Sequence, residues 1–367
     1  MKNTFGNSIC LTLFGESHGP SVGAVIDGIA PGIKIDLDYI KKRLGMRAAV
    51  SDLSTSRHEA DEVEFLSGVF EGYTTGSPLC LVIKNSNTRS RDYKELMTSP
   101  RPSHADYTAN CKYHGFQDYR GGGHFSGRVT AALVAAGAIL MSALEAKGIK
   151  IGTHISSLAG IYDRGFSDIR EDILALESLS FPALDTSASE AMQTKIRDAR
   201  AEGDSVGGIL ESCIIGVPCG VGEPFFDSIE SSLSHILFSI PGIKGVEFGL
   251  GFGFADKRGS ECNDAFCIKD GSVATVTNNN GGINGGISNG MPILFRTAVR
   301  PTPSIFKEQA TVNLKEMTDT SIVIKGRHDP AIIHRARAVV DAACAIAVAD
   351  MLAVRYGTDY LAGKGNP

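Results

Sequence analysis

The chain has 367 residues, 43% hydrophobic and 21% charged, with a formal net charge of −5. These proportions suit a globular fold that buries a large core without staples. The mild acidity and the lack of a long basic run exclude a general nucleic-acid binder, which carries a basic footprint, but leave room for a small anionic ligand held by local arginines.

The N-terminus, M-K-N-T-F-G-N-S-I-C, lacks an h-region and a cleavage site, so no export signal is expected. Strands are predicted over 9–14 and 22–26, where apolar or β-branched residues alternate between turn residues. Between them lies F-G-E-S-H-G-P (14–20), which sets Ser17 and His18 at a strand end. Histidine moves protons near neutral pH, although a structural turn with a satisfied histidine reads equally well. A helix is predicted over 37–44, and strands over 62–66 and 79–84. In S-P-R-P-S-H-A-D-Y (99–107) prolines restrain the backbone around Arg101, ahead of His104 and Asp106. Asp106 could orient the imidazole, though the spacing of two leaves direct pairing open. A metal there lacks further carboxylates, and no metal site is assigned.

The stretch Y-R-G-G-G-H-F-S-G-R-V-T-A-A (119–132) precedes an alanine-rich helix predicted over 129–147. It fits neither the Walker pattern nor a dinucleotide fingerprint. Glycines, Ser126 and Arg128 before a helix still suit an anion, because helix N-termini present free N–H groups. The apolar run 129–144 is shorter than the roughly 20 residues of a membrane span, so it reads as a core helix. Helices over 188–201 and 229–239 and a strand over 208–215 follow. The glycine run T-N-N-N-G-G-I-N-G-G-I-S-N-G (277–290) leads to a strand over 293–299 and then V-R-P-T-P-S. A strand over 321–325 precedes K-G-R-H-D-P-A (325–331), where Arg327 offers a planar fork for phosphate or carboxylate. Asp329 could act as a base or simply cap the helix predicted over 336–355.

Strands and helices do not alternate regularly, so the fold class is α+β, with antiparallel sheets packed on long buried helices. No linker divides the chain, and 1–367 is read as one domain. Glycine is enriched at 42 residues, clustered near charged residues rather than in linkers, which suggests backbone brought close to a ligand. The eight cysteines form no C-x-x-C pair and read as free, mostly buried thiols in a reducing compartment.

Taken in order, these stretches resemble chorismate synthase. The resemblance rests on G-E-S-H-G (15–19), S-R-H-E-A-D-E-V-E-F-L-S-G-V-F-E-G (56–72), R-P-S-H-A-D (101–106), D-Y-R-G-G-G (118–123), S-I-P-G-I-K-G-V-E-F-G (239–249), N-G-G-I-N-G-G-I-S-N-G (280–290) and G-R-H-D-P (326–330). Each motif alone is modest, and seven in order are specific. The resemblance implies a β-α-β sandwich and conversion of 5-enolpyruvylshikimate 3-phosphate to chorismate and phosphate. That 1,4-elimination needs reduced FMN without net redox change. It implies a cytoplasmic homotetramer with no nucleic-acid or membrane partner.

By resemblance His18 protonates the departing phosphate and His104 protonates or stabilises the anionic reduced flavin. Asp329, with Ser17 and Ser126 nearby, relays the substrate C6 proton through flavin N5. Arg47, Arg57, Arg101, Arg128 and Arg327 are candidates to clamp the substrate's phosphate and carboxylates, and Arg327 also counts among the flavin contacts. The other implied flavin contacts are His124, Phe125, Ser126, Pro241, Gly242, Gly285, Arg300, Pro301, Thr302, Pro303 and Ser304.

The chain departs from the family pattern at several places. His124 replaces an arginine, Phe125 a serine, Val129 a glutamate and Ser103 the usual glycine. Gly45 and Met46 stand where arginines are usual, and Arg300 where lysine is common. Losing one charge-assisted hydrogen bond costs about 1.5–3 kcal/mol, enough to weaken binding without abolishing it, and whether these departures lower activity stays open. The source of flavin reduction stays open. Two other readings are a catalytically impaired relative that binds flavin or a phosphorylated ligand in a regulatory or assembly role, and an unrelated metal hydrolase.

Overall fold

The computed structural model describes residues 2–48, 53–54, 61–86, 97–324 and 328–363. Two five-stranded sheets, antiparallel throughout, enclose a layer of helices. The first sheet contains β1 (Thr4–Phe5), β2 (Cys10–Gly15), β3 (Ser21–Asp27), β4 (Val63–Ser67) and β5 (Leu79–Lys84), in the order β1-β2-β3-β5-β4. The second contains β6 (Lys150–Leu158), β7 (Ile161–Tyr162), β8 (Gly208–Ile215), β9 (Ile243–Phe248) and β10 (Ile293–Val299), in the order β9-β10-β8-β6-β7. Each inner face follows the two-residue period of a strand. Leu79, Leu81 and Ile83 point inward from β5, and Ile293, Phe295, Thr297 and Val299 from β10.

The middle layer is built on α3 (Thr130–Ala146) and α7 (Ile333–Tyr356). Before them come α1 (Leu37–Arg47) and α2 (Asp106–Tyr113), and between them α4 (Ile169–Leu176), α5 (Thr186–Ala201) and α6 (Ile229–Ser239). α3 packs on β3 and β5, α7 on β6 and β8, and the two helices pack on each other. Alanine favours helix and lets two axes approach closely. The approach is closest at Gly137, where an added Cβ would lie 2.5 Å from Ala342 Cβ and 2.7 Å from its Cα. Backbone cannot yield as a flexible side chain can. Gly137→Val is therefore expected to cost about 3 kcal/mol, at the upper end of overpacking effects, read as a lower urea midpoint at unchanged m. An unchanged midpoint would mean that the helices separate freely.

The segment Gly127–Ala146 is long and apolar enough to cross a membrane, yet 83% of its most apolar window is buried inside the sandwich. This is the core helix that its composition predicts. Charged groups also enter the middle layer. Arg43 of α1 pairs with Asp341 of α7, both nearly inaccessible. Arg337 donates to Leu176 O and Leu179 O at 2.7 Å each, and burial pulls its pKa down to about 10.

Three predicted strands, at 79–84, 208–215 and 293–299, and the helix at 229–239 match the structure to the residue. The strand predicted over 321–325 is displaced. Thr318–Ile322 pairs instead with Gln309–Asn313 in a separate ribbon, and Lys325 lies outside the described residues. The sequence reading missed β6, K-I-G-T-H-I-S-S-L, because polar side chains fill several of its buried positions. Thr153 meets Ser212 across the strands at 2.8 Å. His154, opposite Glu211 in register, lies between Asp163 at 3.0 Å and Glu211 at 2.9 Å. Asp163 in turn accepts from the backbone N–H of Leu184 and Asp185, fastening that loop to the sheet. All eight cysteines are free, but only Cys213 and Cys344 are buried. Contrary to the expectation of mostly buried thiols, Cys10, Cys80 and Cys267 are half-buried on strands, Cys262 is half-buried at the end of a short helix, and Cys111 and Cys219 are exposed.

Candidate active site

β2 ends at Gly15, where φ is +97° and an added Cβ would lie 2.3 Å from Ser21 O, so no side chain fits. The following turn is held by Asn85, which donates to Glu16 O at 2.9 Å and Gly19 O at 2.8 Å. It buries Ser17 and His18. The glycine loop closes on this turn through two contacts. Ser17 N–H donates to Gly123 O at 3.0 Å, and His124 Nδ1 lies 2.8 Å from Gly15 O. A carbonyl only accepts, so Nδ1 carries the proton.

Gly121, Gly122 and Gly123 have φ of 60°, 83° and 53°. A Cβ on Gly121 would come within 2.3 Å of the His18 ring and 2.9 Å of Ser17 Oγ. One on Gly122 would lie 3.4 Å from His104 Cε1 and 3.6 Å from Nε2. The loop thus threads between the two histidines, and its glycines serve that close approach.

His104 stands on a tight turn ahead of α2. Its Nδ1 lies 2.7 Å from Asp106 Oδ1, so residues two apart do pair directly. The turn that makes this possible passes through Ser103 at φ +58°, a left-handed conformation that costs an L-residue about 1–2 kcal/mol. This accounts for the usual glycine there. Ser103→Gly is expected to raise unfolding stability by about 1 kcal/mol, measured by chemical denaturation. A decrease would show that the serine side chain supports the turn. Arg101 donates to both Asp106 oxygens at 2.8 Å. Burial opposes ionisation of Asp106, but the hydrogen bonds from Arg101 and His104 outweigh it and hold the carboxyl well below its usual range.

His104 faces a cavity of about 670 Å³, a size typical of ligand sites. Its wall gathers segments far apart in sequence: His124, Phe125 and Ser126; Pro241 and Gly242; Arg300, Pro301, Thr302, Pro303 and Ser304; and Asp329. Asp329 accepts from Arg335 at 2.7 Å. It does not cap the helix, since α7 begins at Ile333 and its N-cap, Ile332, makes no side-chain cap. Arg300 donates to Ser103 O at 2.5 Å, tying the cavity wall to the His104 turn. Phe125 packs edge-on against Tyr113. Thr302 Oγ1 is buried and, among the described residues, has no hydrogen-bond partner, which suits a ligand atom.

Other expected residues fall elsewhere. Gly285 lies on the exposed turn of the Ile283–Asn284/Ile287–Ser288 hairpin, away from the cavity wall. Arg57 and Arg327 lie outside the described residues. Arg47 and Arg128 are buried but do not line the cavity. Both meet the Asp61 carboxylate. Arg47 also donates to Thr130 Oγ1 and Gly127 O, and Arg128 to Asn85 Oδ1 and Lys84 O. The helix start is therefore braced by these arginines, whereas the sequence reading saw an anion site in it.

The sequence reading gave no site role to Asp61, Arg335 or His328. Asp61 and Arg335 look like ordinary surface charges until the fold pairs them. Burial, reinforced by the Arg101 charge, pulls the His328 imidazole down to about 4, leaving it neutral beside Asp329 with its ring 5.1 Å from that of Phe306.

The family profile described as chorismate synthase matches residues 9–353. The chain belongs to the chorismate synthase family. It is 48% identical over 350 residues to the chorismate synthase of Pyrococcus abyssi, covering 95% of this chain and 97% of the relative. It is 46% identical to that of Dehalococcoides mccartyi strain BAV1, covering 97% and 98%. A solved structure titled as the crystal structure of chorismate synthase superposes with a TM-score of 0.75 at 30% identity, covering 96% of this chain and 94% of that one. The α+β sandwich is thus a chorismate synthase fold, and the chain is an enzyme of lyase type. Membership at this identity does not favour the reading of a catalytically impaired relative. In this chain His124 keeps a defined task, holding the turn that carries Ser17 and His18.

Proposed function

We propose that this member of the chorismate synthase family converts 5-enolpyruvylshikimate 3-phosphate to chorismate and phosphate by anti-1,4-elimination, as a carbon–oxygen lyase that requires reduced FMN. The observation that carries the reading is the convergence of His104, Asp329 and the segments 124–126, 241–242 and 300–304 on one cavity. The residues present fit a flavin. Phe125, Leu133, Ile236 and Ile332 supply apolar wall, Arg300 supplies positive charge, and Thr302 Oγ1 is a buried polar atom with no partner among the described residues. Reduced FMN, when bound, supplies a transient electron donor for a reaction with no net redox change.

In this proposal His18 gives a proton to the departing phosphate, and the glycine loop keeps water off its ring. His104 holds or gives a proton at Nε2 while Nδ1 stays on Asp106. Asp329, ion-paired with Arg335, is the final acceptor for the substrate C6 proton, with Ser17 and Ser126 assisting. Arg57 and Arg327 clamp substrate anions, while Arg47, Arg101 and Arg128 act by bracing the walls. The enzyme works as a single-domain subunit of a cytoplasmic homotetramer.

The test is anaerobic turnover with chemically reduced FMN and the substrate, following phosphate release and chorismate absorbance. Turnover that depends on reduced flavin supports the reading. Absence of turnover with flavin bound would return attention to the altered 124–129 segment, and His124→Arg combined with Phe125→Ser would then restore activity if those changes disabled it.

A further inference from the structure

We propose that Asp106 is the positioning residue for His104, and that Arg101 serves the reaction through Asp106 and not as a clamp on substrate. The proposal rests on the functional reading above, because it concerns a residue of the same cavity.

The geometry is specific. Asp106 Oδ1 lies 2.7 Å from His104 Nδ1. A carboxylate can only accept, so the Nδ1–H tautomer is selected and Nε2 is left for the cavity side. Arg101 grips both oxygens of Asp106 at 2.8 Å, and its own backbone N–H donates to Oδ2 at 3.0 Å. These contacts leave the carboxylate little freedom to rotate away from the imidazole. Arg101 NH2 also lies 3.0 Å from Nδ1, because both donors converge on the one oxygen. Asp106 is the first residue of α2, so free backbone N–H groups at the helix start add to its stabilisation. The side chains of Arg101 and Asp106 are 7% and 9% exposed, and neither residue lines the large cavity. Only His104 of the three reaches it. The Arg300 contact to Ser103 O fastens the turn to the wall that holds Thr302 and Ser304. The arrangement is a buried Arg–Asp–His relay with one working nitrogen at its end.

The imidazole tautomer is read directly from ¹⁵N chemical shifts in solid-state spectra of histidine-labelled, ligand-free protein, with His104 assigned by the difference from a His104→Gln sample. The Nδ1–H form is expected in the wild type. In Asp106→Ala the signal should shift toward the Nε2–H form. The wild-type tautomer persisting in Asp106→Ala would overturn the proposal, and this readout does not depend on turnover.

Kinetics supply the second arm. Asp106→Asn is expected to lower kcat about 10–100-fold, the size of outer-shell positioning effects, with substrate KM changed less than about threefold. Asp106→Glu should recover part of the loss. Arg101→Lys keeps the charge but loses the two-point grip, and it should lower kcat while leaving KM near the wild-type value. A large rise in KM with kcat retained in Arg101→Lys would make Arg101 a substrate clamp and overturn the second half of the proposal. If Asp106→Asn fails to fold, Arg101→Lys and the wild-type tautomer still decide. Wild-type protein inactive with reduced flavin would refute the functional reading, while the tautomer measurement would still judge the relay.

Discussion

Replacing His104 by alanine is expected to lower turnover by about 10²–10⁴-fold, the usual worth of a positioned acid or base, while flavin binding persists. The ring meets the cavity, but the polar and charged wall of Arg300, Thr302 and Ser304 is built on a separate segment and survives its loss. His18→Ala should have a comparable effect for another reason. His18 is buried against Gly121, so water entering the space left by its ring is not a proton donor held in place. Anaerobic phosphate release gives the turnover, and fluorescence titration with FMN gives the binding. Near-normal turnover in both variants would sink the assigned roles. Loss of flavin binding in His104→Ala would instead make the imidazole part of the cofactor seat.

A large stability effect is also expected at a position outside the cavity wall. His154→Ala should destabilise the fold by about 3 kcal/mol, since removing one partner of a buried charged cluster strands the others. Burial alone would lower the His154 pKa, yet the hydrogen bonds to Asp163 and Glu211 outweigh it and raise it above the ordinary 6.5. Its stabilisation is therefore fully present below pH 6.5 and is lost as pH rises through the folded-state value. Asp163 runs the opposite way. Burial would raise its pKa, but His154 and the N–H groups of Leu184 and Asp185 lower it from 3.8, so its share is present above 3.8 and lost as pH falls through the folded-state value. Urea midpoints for wild type and His154→Gln, taken from pH 5 to 9, should converge at the alkaline end. A constant gap across that range would show that the imidazole is not charged in the fold.

Much of the site was legible because its residues cluster locally in sequence. His18, His104, His124 and Asp329 each stand within a few residues of glycine or proline, where the backbone turns. The partners that tune them were harder to see. Asp106 was visible beside His104, but whether a carboxylate two residues on can reach the ring depends on φ at Ser103, which takes the left-handed value. Arg47, Arg101 and Arg128 stand as candidate clamps by resemblance to the family, and an arginine fork suits anions. Their carboxylate partners, Asp61 and Asp106, are assigned by folding.

The sequence by itself determined the family, the α+β class and the two alanine-rich helices of the middle layer. Motif order, apolar period and helix propensity are local properties that survive without coordinates. Only the tertiary structure decided that the three glycines lie between two imidazoles and that residues 124–126, 241–242, 300–304 and Asp329 share one wall. It also decided that buried His154 sits between two carboxylates on a strand whose polar pattern hid it. These outcomes depend on long-range packing, where a side chain's partner is chosen by which surfaces meet and not by its neighbours in the chain.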